Sequence, residues 1–214
     1  MIHMLLSMGP GLPLIGFQSR LDIGNNTALE MVYRLNVGGS FISPMKDSGM
    51  FRSWYDDDKY VVRYGALPVN TSIHINYKNF QPYTAPEDVY RTARSMGNNK
   101  TENEGFNLTW MLPVDSGFKY MVRLHFCDFQ QEIKKTADRS FQVFITNQTA
   151  EKVDIILLRI FRDYVVSVER EGGQDRQDLF IALHPAAESE TRYSDAIICG
   201  LLVTNRATFN FVLF

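Results

Sequence analysis

The chain has 214 residues, 45% of them apolar and 13% aromatic, and a formal charge of -2 at pH 7. That apolar share is enough to bury the core of one large domain, and the near balance of charge lacks the basic excess of a nucleic-acid-binding surface. No apolar run approaches the length needed to cross a bilayer, so membrane insertion by this chain is not expected.

Residues 1–26 show no clear period and carry Gly9, Pro10, Gly11 and Pro13, as a linker or the remnant of a preceding domain would. Met1 to Leu14 lacks the basic start and continuous apolar centre of a secretion signal. Leu29 to Val37 then alternates, with Met31, Tyr33, Leu35 and Val37 on one side and Glu30, Arg34 and Asn36 on the other. This is the pattern of a half-buried strand, closed by Gly38 and Gly39. Lys46 to Gly49 reads as a turn and Phe51 to Tyr55 as a second short strand. Thr71 to Tyr77 alternates again. Thr84 and Glu87 have capping-box spacing, so Val89 to Arg94 reads as a helical turn or as extended chain.

Phe106, Leu108, Trp110 and Leu112 share one face of the next strand, with Asn107, Thr109 and Met111 on the other. Asp115, Ser116 and Gly117 form a turn signal, and Phe118, Tyr120, Val122, Leu124 and Phe126 alternate beyond it, which predicts a hairpin. Lys134 and Lys135 lie in a charged loop. Further strands are expected at Phe141–Ile145, Tyr164–Val168, Leu179–His184 and Ala196–Thr204. About eight or nine short strands with almost no helix predict an all-β fold, two sheets packed face to face in a β-sandwich of jelly-roll type. The sandwich is expected over residues 27–204, with 205–214 as an atypical tail.

Five N-x-S/T sequons, at Asn25, Asn70, Asn99, Asn107 and Asn147, exceed the one or two expected by chance and are candidate glycan sites. Cys127 and Cys199 form either one bridge or two buried free thiols, and the strand pattern around Cys127 favours free thiols. No CxxC, HExxH or calcium-loop spacing is present, so no metal or other cofactor is expected. Asp56, Asp57 and Asp58 read as a solvated acidic turn pairing Arg52. His125 and His184 sit in strand patterns as structural residues. No G-x-S-x-G is present, and whether two carboxylates face one cleft at a glycosidase's spacing is not set by the sequence. Arg52, Trp54, Tyr55, Asp56 and Asp57 are the ligand-binding candidates. Aromatic rings flanked by carboxylates suit a sugar, but the same residues suit a locked loop with Arg52 paired to an Asp and Trp54 buried.

Eight collinear stretches carry a family resemblance: NTALEMVYRLNVGG, ISPMKDSGMFRSWYDDD, VYRTARSMG, NLTWMLPVDSGFKYMVRLHFCDF, FITNQTAE, RDYVVSV, QDLFIALHP and YSDAIICG. Together they resemble the malectin-like ectodomains of plant receptor kinases of the Feronia type. That ectodomain has two tandem malectin-like sandwiches, and this chain resembles the second only, with SMGPGLPLIGFQ resembling the connection between them. The resemblance implies a non-catalytic extracellular module at the outer face of the plasma membrane or in the cell wall. It implies as partners a secreted alkalinising-type peptide and a small GPI-anchored co-receptor, with a pectin-type oligosaccharide as the alternative ligand. Residues 154–163 and 199–214 depart from the family pattern. With no secretion signal, first sandwich, membrane helix or kinase in the chain, they also suggest a truncated product or a fragment without independent function.

Overall fold

The computed structural model describes residues 11–23, 29–62, 64–72, 81–128, 130, 132–155 and 160–206. The chain folds as a β-sandwich of jelly-roll type with a third, smaller sheet. The strands are β1 (Leu12–Leu14), β2 (Ser19–Leu21), β3 (Leu29–Asn36), β4 (Tyr55–Asp56), β5 (Leu67–Asn70), β6 (Thr92–Ser95) and β7 (Leu108–Asp115). They continue with β8 (Phe118–Phe126), β9 (Arg139–Ile145), β10 (Gln148–Ile155), β11 (Ile160–Val168), β12 (Arg176–Pro185), β13 (Ile197–Ile198) and β14 (Gly200–Arg206). A seven-stranded sheet has the order β2-β1-β11-β8-β14-β3-β4, a four-stranded sheet β10-β9-β12-β7, and a three-stranded sheet β13-β6-β5.

The core lies between the two larger sheets. Leu35, Val122, Leu124, Phe126, Leu201 and Val203 come from the seven-stranded sheet; Trp110, Leu112, Phe141, Val143, Ile181 and Leu183 come from the four-stranded one. The Phe126 and Phe141 ring centroids meet across it at 5.5 Å. Burial of this apolar set is the main favourable contribution to folding.

Several expectations are corrected. The turn at Asp115–Gly117 does not make a hairpin: β7 pairs with β12, while β8 pairs with β11 and β14. The chain crosses there from one sheet to the other, because the apolar faces of β7 and β8 look at each other across the core instead of sharing a sheet. Ser116 N donates to Asp175 O at 2.9 Å and Gly117 N to Val168 O at 2.6 Å, which fixes the crossing. The expected linker is partly structured, since β1 and β2 pair with each other and Leu14 of β1 lies in register with Val165 of β11. The last strand divides at Cys199 between the small sheet and the large one. Glu87–Arg91 forms a short 3-10 helix without a side-chain cap and runs into β6, so the capping box is not made. The expected strand over 71–77 falls mostly outside the described residues. As the strand pattern led one to expect, Cys127 and Cys199 are both buried and no disulfide joins them.

The outer face of β8 is also covered. Met121, Arg123 and His125 are as buried as the core-facing residues between them. Arg123 pairs with Asp163 at 2.6 Å beneath the Phe161 ring, and His125 Nδ1 meets the Tyr90 hydroxyl at 2.8 Å. Burial, with Arg123 and Arg52 nearby, holds the His125 pKa well below its usual value. This imidazole is therefore a neutral packing group.

Candidate functional site: two ionic hubs and an edge groove

Two buried ion pairs tie the three sheets together. The first centres on Asp57, which is fully buried. Its Oδ2 accepts from Arg94 Nε of β6 at 2.7 Å and from Trp110 Nε1 of β7 at 2.8 Å. Its Oδ1 accepts from Arg94 Nη2 at 3.0 Å and from Gly38 N, just after β3, at 2.9 Å. A carboxylate so satisfied offsets the cost of its burial. Gly38 has φ +68°, and a Cβ there would lie 2.0 Å from Ala93 O, so the turn that delivers this N–H requires glycine. Asp58 is exposed and meets Arg94 Nη2 at 2.5 Å. The expectation of a solvated acidic turn holding Arg52 is therefore corrected: Asp57 is an interior hub, and its cation is Arg94.

Arg52 pairs instead with Asp47, with Nε to Oδ2 at 2.8 Å and Nη2 to Oδ1 at 2.9 Å. It also donates to Thr84 O at 3.2 Å and Tyr83 O at 2.9 Å, so one side chain pins loop 47–52 to loop 83–84. Burial alone would raise the Asp47 pKa, but hydrogen bonds from Arg52 and Ser48 lower it below the usual value. Trp54 is fully buried, with the Arg34 and Arg52 guanidinium carbons 5.8 and 5.7 Å from its ring centroid. Its ring face is not available for sugar stacking. Tyr55 is 57% exposed and packs on Phe41 with centroids 5.3 Å apart, and Asp56 is half-buried beside it. Arg52 and Tyr55 line a groove of about 490 Å³ between β3 and segment 50–53; Trp54, Asp56 and Asp57 stand outside it.

The second hub was not legible in the sequence. Arg139 of β9 pairs with Asp128, after β8, and with Asp195, before β13, at 2.5 Å from its Nε to Asp195 Oδ1. Gln130 also accepts from it. Burial raises the Asp128 pKa, and raises that of Asp195 to about 6 against the attraction of Arg139. Arg139 and Asp195 line a second cleft, of about 720 Å³, with Lys100, Glu132 and Arg192 at its rim. The available signal was a pair of acids inside apolar strand ends, in HFCDF and YSDAIICG. Among the described residues no cluster of His, Cys, Asp and Glu has metal-site geometry.

Asn70, Asn99, Asn107 and Asn147 are exposed, and Asn25 lies outside the described residues. Asn147 sits with Thr146 at positive φ in the tight β9–β10 turn, and Asn99 caps a one-turn helix at Lys100–Asn103. Asn107 Oδ1 meets His184 Nδ1 at 2.8 Å.

Fold and site define a jelly-roll sandwich whose outer face carries an ionically locked loop layer. The chain belongs to the malectin-like family: the model of the malectin-like domain matches residues 18–203. It is 44% identical over 201 residues to the receptor-like protein kinase FERONIA of Arabidopsis thaliana, covering 89% of this chain and 22% of FERONIA. To the receptor-like protein kinase ANXUR2 of Arabidopsis thaliana it is 35% identical over 202 residues, covering 88% of this chain and 23% of that one. The crystal structure of the ANXUR2 extracellular domain superposes with a TM-score of 0.84 at 33% identity, over 93% of this chain and 55% of that one. A crystal structure of the plant peptide RALF23 in complex with FER and LLG2 superposes with a TM-score of 0.78 at 40% identity, over 88% of this chain and 52% of the matched chain. The chain thus spans less than a quarter of these kinases and about half of the crystallised chains.

Proposed function

We propose that this chain is a non-catalytic ligand-binding sandwich of a receptor-kinase ectodomain, carried at the outer face of a plant plasma membrane. It takes a secreted alkalinising-type peptide together with a GPI-anchored co-receptor, as the second of two tandem sandwiches. The observation that carries this reading is the 40% identity, over 88% of the chain, with a chain crystallised in the complex of RALF23, FER and LLG2. The surface supports it. Phe41, Met50, Phe51 and Tyr55 are exposed apolar or aromatic residues around the edge groove, a feature typical of recognition surfaces. In this reading Tyr55 faces the ligand, with Asp56 beside it outside the groove, while Arg52, Trp54 and Asp57 hold the loop that presents it. Asn25, Asn70, Asn99, Asn107 and Asn147 carry glycans, and of the four that are described none lines the groove.

Calorimetry of the glycosylated, folded protein with an alkalinising peptide, with and without the co-receptor, tests this. Binding is expected when all three components are present. A folded protein that binds in neither arm removes the reading. The exposed Tyr55 ring beside Asp56 supports a second reading, a pectin-type oligosaccharide ligand. Oligogalacturonide binding that disappears in Tyr55→Ala, with no peptide binding in either arm, selects it.

A further inference from the structure

We propose that the open edge of β3 docks an extended peptide strand whose acidic side chain pairs with Arg34. Two independent observations meet in the edge groove. Arg34 lines it, is only 8% exposed, and has no ion-pair partner among the described residues, which include every Asp and Glu of the chain. Its Nη1 reaches Ser53 O at a long 3.4 Å, while Nε and Nη2 are buried without an acceptor. The neighbouring Arg52 is bound on both edges by Asp47 and Ser48. Of two guanidiniums beside the same tryptophan, one has its counter-ion and the other does not. Burial and the charge of Arg52 push the Arg34 pKa down to about 10, which leaves it cationic at neutral pH. A buried, uncompensated guanidinium is costly, and a bidentate carboxylate is the group that relieves it.

The second observation is backbone. β4 pairs only with Leu35 and Asn36 of β3, and among the described residues no other strand lies on that edge. Leu29 to Arg34 therefore present an edge of about 20 Å, open to strand addition. The facing wall carries Phe51, 68% exposed and held at φ +52°, a strained conformation of the kind that clusters at ligand clamps.

The strand period then fixes the ligand's chemistry. Glu30, Val32 and Arg34 share the outer face of β3, so an added strand meets them with every second residue. The complementary order is basic opposite Glu30, apolar opposite Val32 and acidic opposite Arg34. This deepens the peptide-binding reading and rests on it for the biological source of the strand.

The test uses two capped pentapeptides, Lys-Thr-Val-Thr-Glu and its reverse, one for each strand direction, without co-receptor. Binding is followed by tryptophan fluorescence and by amide shifts over residues 31–35. One of the two peptides is expected to bind, with affinity falling about tenfold or more when its Glu is replaced by Gln. Arg34→Met and Arg34→Gln are expected to lose the same binding. Arg34→Met is expected to be at least as stable as the parent, since it removes an unpaired buried charge. The proposal is overturned if neither peptide binds the folded protein, if Arg34→Met binds as well as the parent, or if free glutarate binds as tightly as the peptide. Arg34-dependent binding of an oligogalacturonide, with neither pentapeptide bound, reassigns the site to a sugar acid and also overturns it. Each of these failures leaves co-receptor-dependent binding of the alkalinising peptide unaffected, whereas failure of the receptor reading appears in that assay alone.

Discussion

Asp57 and Asp195 show how much of this molecule rests on single carboxylates placed between sheets. Asp57 takes donors from β6, β7 and the Gly38 turn, so Asp57→Asn leaves the Arg94 guanidinium without its buried counter-ion. Loss of one partner of such a pair costs about 3–5 kcal/mol, to be read from urea unfolding; a loss under about 1 kcal/mol contradicts the assignment. Asp195 has the opposite sign. Its pKa rises to about 6 in the folded chain, so the folded state holds the proton more tightly than the unfolded one. Stability from this group is fully present below its unfolded pKa of about 4 and is lost as pH rises through about 6. Melting temperature is expected to fall between pH 4.5 and 7, and Asp195→Asn to flatten that profile; a profile that rises over the same range is the contrary result. These roles were only partly legible. Three consecutive aspartates do not say which one turns inward; that is decided by the position of Arg94 and Trp110, 37 and 53 residues away. Arg52 was readable as an ion-pair partner, but its acceptor is Asp47, five residues back.

At the level of elements, alternation located the strands and misled on pairing. β7 and β8 each alternate and are joined by a tight turn, yet they stand in different sheets. A period of two reports which face of a strand is buried, not which strand lies beside it. The alternation of Arg123 and His125 within β8 likewise concealed that this face is covered, by Trp54 and Tyr90 from outside the sheet and by Phe161 from the neighbouring β11. Gly38 is where the element geometry is most exposed to test. Gly38→Ala combines a positive φ with a contact of 2.0 Å to a backbone oxygen, which a flexible side chain cannot relieve. Destabilisation by about 2–3 kcal/mol or more is expected in urea unfolding, with weakened protection of the Asp57 segment from hydrogen exchange. A change within about 0.5 kcal/mol is incompatible with the turn described.

For the whole molecule, eight collinear stretches spread over most of the chain made the family legible, because they preserve the turns and strand faces of one sandwich. The hubs and the groove were less so, since each collects residues from segments far apart in the sequence. Arg139, Asp128 and Asp195 meet from three sheets, and the Arg-Ser-Trp-Tyr segment hides its tryptophan and displays its tyrosine. The two hubs join all three sheets, so the groove rests on a rigid frame. Hydrogen exchange of the glycosylated protein, alone and with the alkalinising peptide and co-receptor together, reports where a ligand rests on that frame. Added protection is expected at residues 29–36 and 47–58, with the cleft around Arg192 unchanged. Protection confined to other surfaces, or none at all in a folded sample, contradicts a peptide-binding role for the edge groove.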